Sequence, residues 1–303
     1  MKELVAPWSA LRNCAASVDL WPVLERLGCS PERADPSAWL AAGLPARILP
    51  RLAMVEAEDD GQVRWLTAGS ARWPASLRGL PFGPVALSWE GNLELLDRPG
   101  VAVVGARACT PYGRGWARRI AAAVVAADGV VVSGLARGID AEAHAAAGGR
   151  TIAVLGQGLS ARMPAWQSSM RARLLAAGGL VLSEFAGRSP AGISTFPIRN
   201  RIIAGLSRAV VVVEAAQRSG ARTTAAHALR AGRDVLAVPG SLDAPASVGC
   251  LELIAEGAQI VLGPQCVLDS AGLRLPSRFD AGIPSELTRG GRRLPAPSTR
   301  LEP

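Results

Sequence analysis

From residue 85 onward, short apolar runs alternate with longer segments in which apolar residues recur at helical spacing. Eight runs have the length and the β-branched content of strands: Val85–Trp89, Val101–Val104, Val130–Ser133, Thr151–Leu155, Leu180–Ser183, Ala209–Val213, Val235–Val238 and Gln259–Leu262. Helical patterns lie between them at Tyr112–Ala127, Asp140–Ala147, Gln167–Ala176 and Gly220–Ala231. Strands that are apolar on both faces and alternate with helices are typical of a mostly parallel sheet covered on both sides. The pattern therefore predicts a doubly wound α/β fold.

The two ends of the chain differ from this middle part. Residues 1–65 contain short helical patterns broken by glycine and proline, and the acidic stretch Glu56–Gly61 is interpreted as a solvated connector. From residue 270 onward the chain is rich in proline, glycine and arginine without sustained periodicity, so we expect a mostly disordered tail. We therefore predict a small helical domain over residues 1–65, the α/β domain over 66–269 and a tail over 270–303.

Composition narrows the class of protein. Apolar residues make up 49% of the 303 residues and charged residues 19%, which favours a packed interior over disorder. No apolar run approaches the ~20 residues of a membrane-spanning helix, and the N-terminus lacks the apolar core of a secretory signal. The five cysteines form no CxxC pair and there are two histidines, so neither a disulfide framework nor a zinc site is expected. We expect a cytoplasmic protein without membrane contact, metal or other cofactor.

The excess of positive charge lies in the middle part and the tail of the chain, where residues 271–303 carry 6 basic and 3 acidic side chains. The formal net charge is +8, and every basic residue except Lys2 is an arginine. Residues 71–270 carry 20 basic and 13 acidic side chains, whereas residues 1–70 carry 7 and 9. Genomic base composition accounts for part of the arginine excess, but its distribution indicates a polyanionic partner.

Glycine and arginine recur directly after the predicted strands, where an open parallel sheet binds its ligands. The arginines in these loops or at the start of the next helix are Arg107, Arg137, Arg199, Arg201, Arg218 and Arg222. Glycine lets backbone N–H groups approach an anion closely, helix N-termini favour negative charge, and a guanidinium binds two phosphate oxygens at once. Repetition of this chemistry after most strands predicts anion binding along one rim of the sheet.

Several residues at this rim have alternative interpretations. The segment Gly156–Ala161 fits the pattern G-x-G-x-x-[GA], but it follows a later strand and lacks the expected acid, so a tight turn or a phosphate contact is favoured over a dinucleotide site. Asp140 is interpreted as the cap of the next helix, and His144 as a locally hydrogen-bonded residue of that helix. The aromatic residues placed where a nucleobase could stack are Phe185, Phe196 and Trp166.

Seven segments of this middle part form a recognisable series: VAVVGARACTPYG, VVSGLARGIDAEAH, TIAVLGQGL, LVLSEF, FPIRNRIIAGLS, VVVVEAAQRSGARTTAAHAL and GRDVLAVPG. Their order and spacing resemble the DprA/Smf family, the DNA-processing protein A of bacterial natural transformation. Trp73-Pro74-Ala-Ser-Leu77 stands where that family has a Tyr-Pro-x-x-Leu motif. The resemblance covers roughly residues 70–265.

The resemblance implies an extended Rossmann-like domain, usually dimeric, that binds single-stranded DNA in a basic pocket at the strand ends. It also implies that the protein protects incoming DNA and helps to load the RecA recombinase, without catalytic activity or cofactor, and that residues 1–65 are a short SAM-like region. The positions that match the DNA-contacting motifs of the family are Gly105, Arg107, Ser133, Gly134, Arg137, Gly138, Gly156, Phe196, Arg199, Asn200 and Arg201.

The sequence departs from the family at three places. Met163 and Gln167 stand where the family has the Tyr and the Asn of a Tyr-Pro-x-x-Asn motif, Leu251 replaces a common Asn, and the tail is too short for the winged-helix domain of many members.

Two other functions stay open. Glu184 and Glu214, each at the end of a strand, would serve a nucleotide-processing enzyme of the nucleoside monophosphate hydrolase type on a related fold. The departures at Met163 and Gln167 would suit an adaptor that only dimerises and contacts RecA.

Overall fold

The computed structural model describes residues 18–27, 36–46, 64–78, 80–185 and 187–275. Within these ranges the chain forms a nine-stranded sheet in the order β1-β2-β6-β5-β4-β3-β7-β8-β9. The strands are β1 (Arg64–Thr67), β2 (Ala86–Gly91), β3 (Gly100–Val104), β4 (Val130–Ser133), β5 (Thr151–Leu155), β6 (Leu180–Ser183), β7 (Ala209–Val212), β8 (Asp234–Ala237) and β9 (Gln259–Ile260). The eight predicted strands are all present, and β1 was not predicted.

Seven neighbouring strands of the sheet, β6, β5, β4, β3, β7, β8 and β9, are parallel. Strands β2 and β1 extend the sheet beyond β6, each antiparallel to its neighbour. Strand β3 lies between β4 and β7, since Val101 faces both Val131 and Ala209. Successive strands from β3 to β6 are therefore added towards one edge of the sheet, and those from β7 to β9 towards the other edge. This reversal creates a switch point between β3 and β7, where an open α/β sheet leaves a crevice at its carboxyl ends.

Helices cover both faces of the sheet. They are α1 (Trp21–Leu27), α2 (Pro36–Ala41), α3 (Pro111–Ala126), α4 (Ile139–Ala147), α5 (Ala165–Ala176), α6 (Thr195–Gly205), α7 (Gly220–Arg230), α8 (Val248–Ala255) and α9 (Pro264–Ser270). Successive residues of β3 point to opposite faces. Val101 and Val103 pack with α3, α4 and α9, while Ala102 and Val104 share a core with α6 and α7. The predicted doubly wound, mostly parallel α/β fold is confirmed.

The N-terminal helices α1 and α2 pack on the same side of the sheet as α6. Trp21 and Trp39 belong to the core cluster that contains Leu77 and Leu87, and the rings of Trp21 and Trp73 lie 6.4 Å apart. The predicted connector at residues 56–61 lies outside the described residues, and the division of the chain at residue 65 stays a prediction.

Three helices of the C-terminal half were not predicted, namely α6, α8 and α9. Residues 199–205 of α6 are all buried, including the polar residues 199–201, so polar and apolar positions do not separate onto an exposed and a buried face and no helical period results. Pro197 lies in the first turn of α6, where a helix tolerates proline. No helix in the described part of the chain combines the length and the apolar character that crossing a membrane requires.

The C-terminal limit of the packed structure lies beyond the predicted boundary at residue 269. Helix α9 ends at Ser270, and Leu273 is still buried against the α3 side of the sheet. The rest of the predicted tail lies outside the described residues.

Candidate functional site

A cleft opens at the switch point, between the carboxyl ends of β3 and β7. It has a volume of about 260 Å³. The residues that line it come from the β3–α3 and β4–α4 loops and from the helices α4, α6 and α7: Val104, Gly105, Arg107, Ala136, Asp140, Phe196, Arg199, Asn200, Ile203, Ser219, Gly220, Ala221 and Thr224. The structure thus brings together five of the predicted site residues, which are distant in sequence: Gly105, Arg107, Phe196, Arg199 and Asn200.

Arg199 forms the floor of this cleft and is held rigidly. Its side chain is only 5% exposed. The Nη1 atom donates to the carbonyl oxygens of Gly134, at 2.7 Å, and Val154, and Nε donates to Asn200 Oδ1 at 3.1 Å. Burial, opposed by Asp140 and reinforced by the positive charge of Arg107, lowers the pKa of Arg199 to about 10, so the guanidinium stays charged at neutral pH.

Gly134 and Asp140 fit closely around this guanidinium. A Cβ atom at Gly134 would lie 2.5 Å from Arg199 Cζ, so only glycine leaves room for the guanidinium. The Gly134 N–H donates to Asp140 Oδ2 at 3.0 Å. Burial raises the pKa of Asp140, while the nearby Arg199 favours the carboxylate. The predicted capping role of Asp140 is wrong, because Gly138 is the N-cap and the carboxylate points back to β4.

His144 is a structural residue behind the cleft. Thr151 Oγ1 donates to Val131 O at 2.8 Å, so it accepts from His144 Nδ1 at 2.7 Å. His144 Nε2 is then the acceptor for the Leu135 N–H at 3.3 Å. Burial, assisted by the positive charge of Arg199, lowers the pKa of His144 to about 3. The prediction of a locally hydrogen-bonded helix residue is confirmed.

The β3–α3 and β4–α4 loops pack directly on each other. Gly138 has a φ of +78°, and a Cβ there would lie 2.6 Å from the Arg107 carbonyl oxygen. The Ile139 N–H donates to Ala106 O at 3.1 Å. Glycine is therefore required at position 138 so that the β3–α3 and β4–α4 loops can pack closely. This packing brings the loops that carry Arg107 and Arg137 next to each other.

Each of these two exposed arginines lies over an aromatic ring. Arg107 Cζ is 5.0 Å from the centroid of the Phe196 ring, and Arg137 Cζ is 4.9 Å from the centroid of the Trp166 ring. Gly156 lets Phe196 approach the end of β5, since a Cβ there would meet Phe196 Cδ1 at 2.9 Å. The rim of the cleft therefore presents a guanidinium and a ring face together.

The N-terminus of α7 closes the other side of the cleft. Ser219 caps this helix by accepting from the Ala221 N–H at 3.3 Å, and Ser219, Gly220 and Thr224 line the cleft. Asn200 Nδ2 donates to Gly220 O at 3.2 Å and joins α6 to α7. The positive end of the α7 dipole therefore faces the same space as Arg107.

Arg201 and Ser133 lie away from this space. Arg201 is 4% exposed and forms a bidentate ion pair with Glu184, at 2.8 and 2.7 Å, while it also donates to Phe82 O and Ile198 O. Ser133 Oγ is fully buried and donates to Val103 O at 2.7 Å. The structure does not bring either residue to the cleft, and we assign both to the framework of the site; their predicted contact with DNA stays a prediction.

The N-terminus of α3 is occupied by a carboxylate of the chain itself. Glu214 accepts from the Thr110 N–H at 2.9 Å and from the Thr110 hydroxyl, and it lies against Gly113. Thr110 is the N-cap of α3. Of the other rim arginines, Arg222 pairs with Glu252 and Glu256. The N-terminus of α3 is thus already occupied by the Glu214 carboxylate.

The two departures from the family motif are integrated into the structure. Gln167 Nε2 donates to Leu135 O at 3.2 Å, and Met163 packs against a small core that includes Leu159. Gly158, in the segment that fits a dinucleotide pattern, donates its N–H to Ser189 O at 2.9 Å, and α5 starts only at Ala165. That segment is a turn without a helix N-terminus directly behind it.

The part of the chain that forms the sheet and its covering helices is similar to known proteins. Residues 64–272 match the model of the family described as DNA recombination-mediator protein A. The chain is 40% identical over 247 residues to Protein Smf of Synechocystis, which covers 79% of this chain and 61% of that protein. It is 45% identical over 202 residues to DNA processing protein DprA of Streptococcus pneumoniae, which covers 65% of this chain and 70% of that protein. The chain spans 56% of the Escherichia coli Protein Smf, at 43% identity.

Two solved structures share this fold. The chain superimposes on DNA processing protein A from Streptococcus pneumoniae with a TM-score of 0.76 and 35% identity, over 87% of this chain and 97% of that chain. A structure of DNA processing protein A from Helicobacter pylori, described by its single-stranded DNA binding mode, matches with a TM-score of 0.63 and 28% identity, over 69% of this chain and 96% of that chain.

Proposed function

The chain belongs to the DNA recombination-mediator protein A family, also called DprA/Smf, and from this premise we propose that the cleft between β3 and β7 binds single-stranded DNA. The observation that carries the proposal is the Arg107–Phe196 pair at the mouth of the cleft, above the buried cation of Arg199. Ring faces stack on bases of any sequence, and guanidinium groups pair with phosphates. A nucleobase reaches Phe196 only when it is unstacked, which favours a single strand over a duplex.

The residues of the site divide into contacts and supports. Arg107, Phe196, Asn200 and the N-terminus of α7 contact the strand, and Arg199 supplies a fixed positive charge beneath it. The predicted glycines are supports, because a Cβ atom at any of them would clash with a neighbouring residue: they are Gly105, Gly134, Gly138 and Gly156. Binding by these groups depends on charge and stacking, so we expect little sequence preference.

We propose no catalytic role for this site. A nucleoside monophosphate hydrolase would use Glu184 or Glu214, the acids at the ends of β6 and β7. Both oxygens of Glu184 accept from Arg201, and both oxygens of Glu214 accept from Thr110. These carboxylates are 4% exposed and are occupied by structural partners, so they support a binding module rather than an enzyme.

The wider role follows from the family and is proposed in the same way. The protein, as a homodimer, would protect incoming single strands and help to load the RecA recombinase during natural transformation. Mass photometry of the purified protein tests the dimer. The rate at which RecA forms filaments on strands coated with single-stranded DNA-binding protein, with and without this protein, tests loading.

The binding proposal is tested by fluorescence anisotropy with a labelled oligothymidylate and a duplex of the same length. We expect the single strand to bind more tightly, and the log–log salt dependence of Kd to have a slope of about 2–3.5 for ~3–5 phosphates. Arg107→Ala removes a charged phosphate contact that is worth about 1.5–3 kcal/mol, so Kd should rise roughly 10- to 150-fold.

Arg230→Ala is the matched control for this experiment. Arg230 is exposed at the end of α7 that points away from the cleft, so its loss removes the same charge without removing a contact. Equal affinity for single strand and duplex, or equal losses in Arg107→Ala and Arg230→Ala, would refute the proposed site.

A further inference from the structure

A second arginine–aromatic pair stands beside the cleft, and the binding site proposed above assigns no contact to its ring. Trp166 is half-buried in the first turn of α5, and Arg137 is exposed in the β4–α4 loop. The Arg137 guanidinium carbon lies 4.9 Å from the centroid of the indole. Both residues follow the carboxyl ends of parallel strands, on the same rim as the Arg107–Phe196 pair.

Contacts of the neighbouring backbone connect the two pairs. Gly138, which follows Arg137, packs on the Arg107 carbonyl. The side chain of Gln167, which follows Trp166, donates to Leu135 O at 3.2 Å and ties the start of α5 to the β4–α4 loop. The second pair is thus held in place next to the first by the loops that carry them both.

We propose that Trp166 and Arg137 form a second nucleotide subsite, in which a nucleobase stacks on the indole and the Arg137 guanidinium leaves the ring face to pair with the adjacent phosphate. This inference rests on the proposed function, since the strand that enters the cleft is the one that continues over Trp166. The exchange is favourable because an exposed cation–π contact is weak compared with base–aromatic stacking.

The ligand that fits this subsite is a single-stranded segment of any sequence. An indole presents an apolar face without base-specific donors, so the subsite should extend the bound length and add affinity without adding sequence preference. A duplex hides its base faces and gains nothing from the indole.

The test uses a set of oligothymidylates in which one abasic position is moved along the strand. In the wild type, two separate positions should be sensitive to loss of the base. Trp166→Leu should weaken binding of the intact strand by roughly 5- to 150-fold, the range of one stacking contact, and should abolish the sensitivity at one position only. Phe196→Leu should abolish the sensitivity at the other position, and Trp166→Phe should restore most of the loss.

Trp116→Leu is the matched control, because Trp116 on α3 also carries an arginine over its ring, with Arg119 Cζ at 5.3 Å, but does not line the rim. A purely structural effect of Trp166→Leu would weaken intact and abasic strands alike, and that result overturns the inference. The inference also fails if Trp166→Leu binds like the wild type while Phe196→Leu is impaired. Failure of the wild type to bind single strands would instead refute the proposed function itself.

Discussion

Arg199 and Arg201 show how two neighbouring residues of one motif can have different tasks. Both are buried and charged, and one residue separates them in the sequence. Arg199 lines the cleft and donates to the ends of β4 and β5, whereas Arg201 is fully engaged by Glu184 and backbone carbonyls. Positions two apart on an α-helix point in nearly opposite directions, so one side chain faces the ligand space and the other faces the framework.

This division predicts that substitution of a framework arginine lowers stability, whereas substitution of a rim arginine weakens DNA binding. Arg201→Met leaves the buried Glu184 carboxylate unpaired and should lower the free energy of unfolding by about 3–5 kcal/mol. The double variant Arg201→Met/Glu184→Leu removes both charges and should recover most of that loss. Arg107→Ala, at an exposed position, should change stability by no more than about 0.5 kcal/mol while it weakens DNA binding.

Urea denaturation measures the stabilities, and anisotropy measures the affinity of the folded fraction. If Arg201→Met were as stable as the wild type but lost DNA binding, Arg201 would be a contact residue after all, and the framework assignment would fail.

His144 makes the stability depend on pH in a defined direction. The folded protein holds the pKa of His144 near 3, below the usual value of about 6.5 in an unfolded chain. At pH values between about 3 and 6.5 the unfolded state carries one more proton on His144 than the folded state. The stability linked to His144 is therefore fully present above about pH 6.5, and the free energy of unfolding declines by about 1.4 kcal/mol per pH unit as the pH falls. Asp140 has the opposite effect on stability in the pH range where it titrates, because its raised pKa makes the folded state bind more protons than the unfolded state as the pH falls.

The variant His144→Gln isolates the histidine contribution, since a glutamine amide both donates to Thr151 and accepts from Leu135. Unfolding curves recorded from pH 7 to pH 4 should show a shallower loss of stability for His144→Gln than for the wild type. Parallel curves for the two proteins would mean that His144 is not held neutral by the fold.

At the scale of elements, eight of the nine described strands were predictable, whereas β1 and α6 were not. Short β-branched runs such as Thr151–Leu155 identify the sheet, and the loops after them identify the rim. Helix α6 has seven consecutive buried residues from Arg199 to Gly205, and three of them are polar, so its sequence lacks the separation of polar and apolar positions that marks a surface helix. Without the helix, the opposite directions of Arg199 and Arg201 could not be foreseen.

The glycines illustrate the same limit. The sequence identified Gly134, Gly138 and Gly156 as site residues and suggested direct contact with an anion. In the structure each leaves room for another part of the site, namely Arg199, the Arg107 backbone and Phe196. A sequence reveals that a position needs glycine, but the neighbour that requires the space comes from a distant part of the chain.

At the scale of the whole molecule, the strand order determines where binding takes place. The reversal between β3 and β7 opens a crevice, and Glu214 from the β7 end closes the α3 side of it. The remaining opening is bounded by Arg107, Arg199 and the start of α7, which bring two guanidinium groups and the positive end of a helix dipole to one cleft. Under the proposed function, segments from four parts of the chain would hold one single strand there.

Ultraviolet cross-linking of the full chain to oligothymidylate, followed by digestion and mass spectrometry, tests the location of the strand most directly. We predict that the DNA is attached to the peptide that carries Phe196, and that Phe196→Leu removes this cross-link. Attachment chiefly to Trp116 on α3 or to Trp89 on β2, which carry arginines over their rings elsewhere on the molecule, would contradict binding at the cleft.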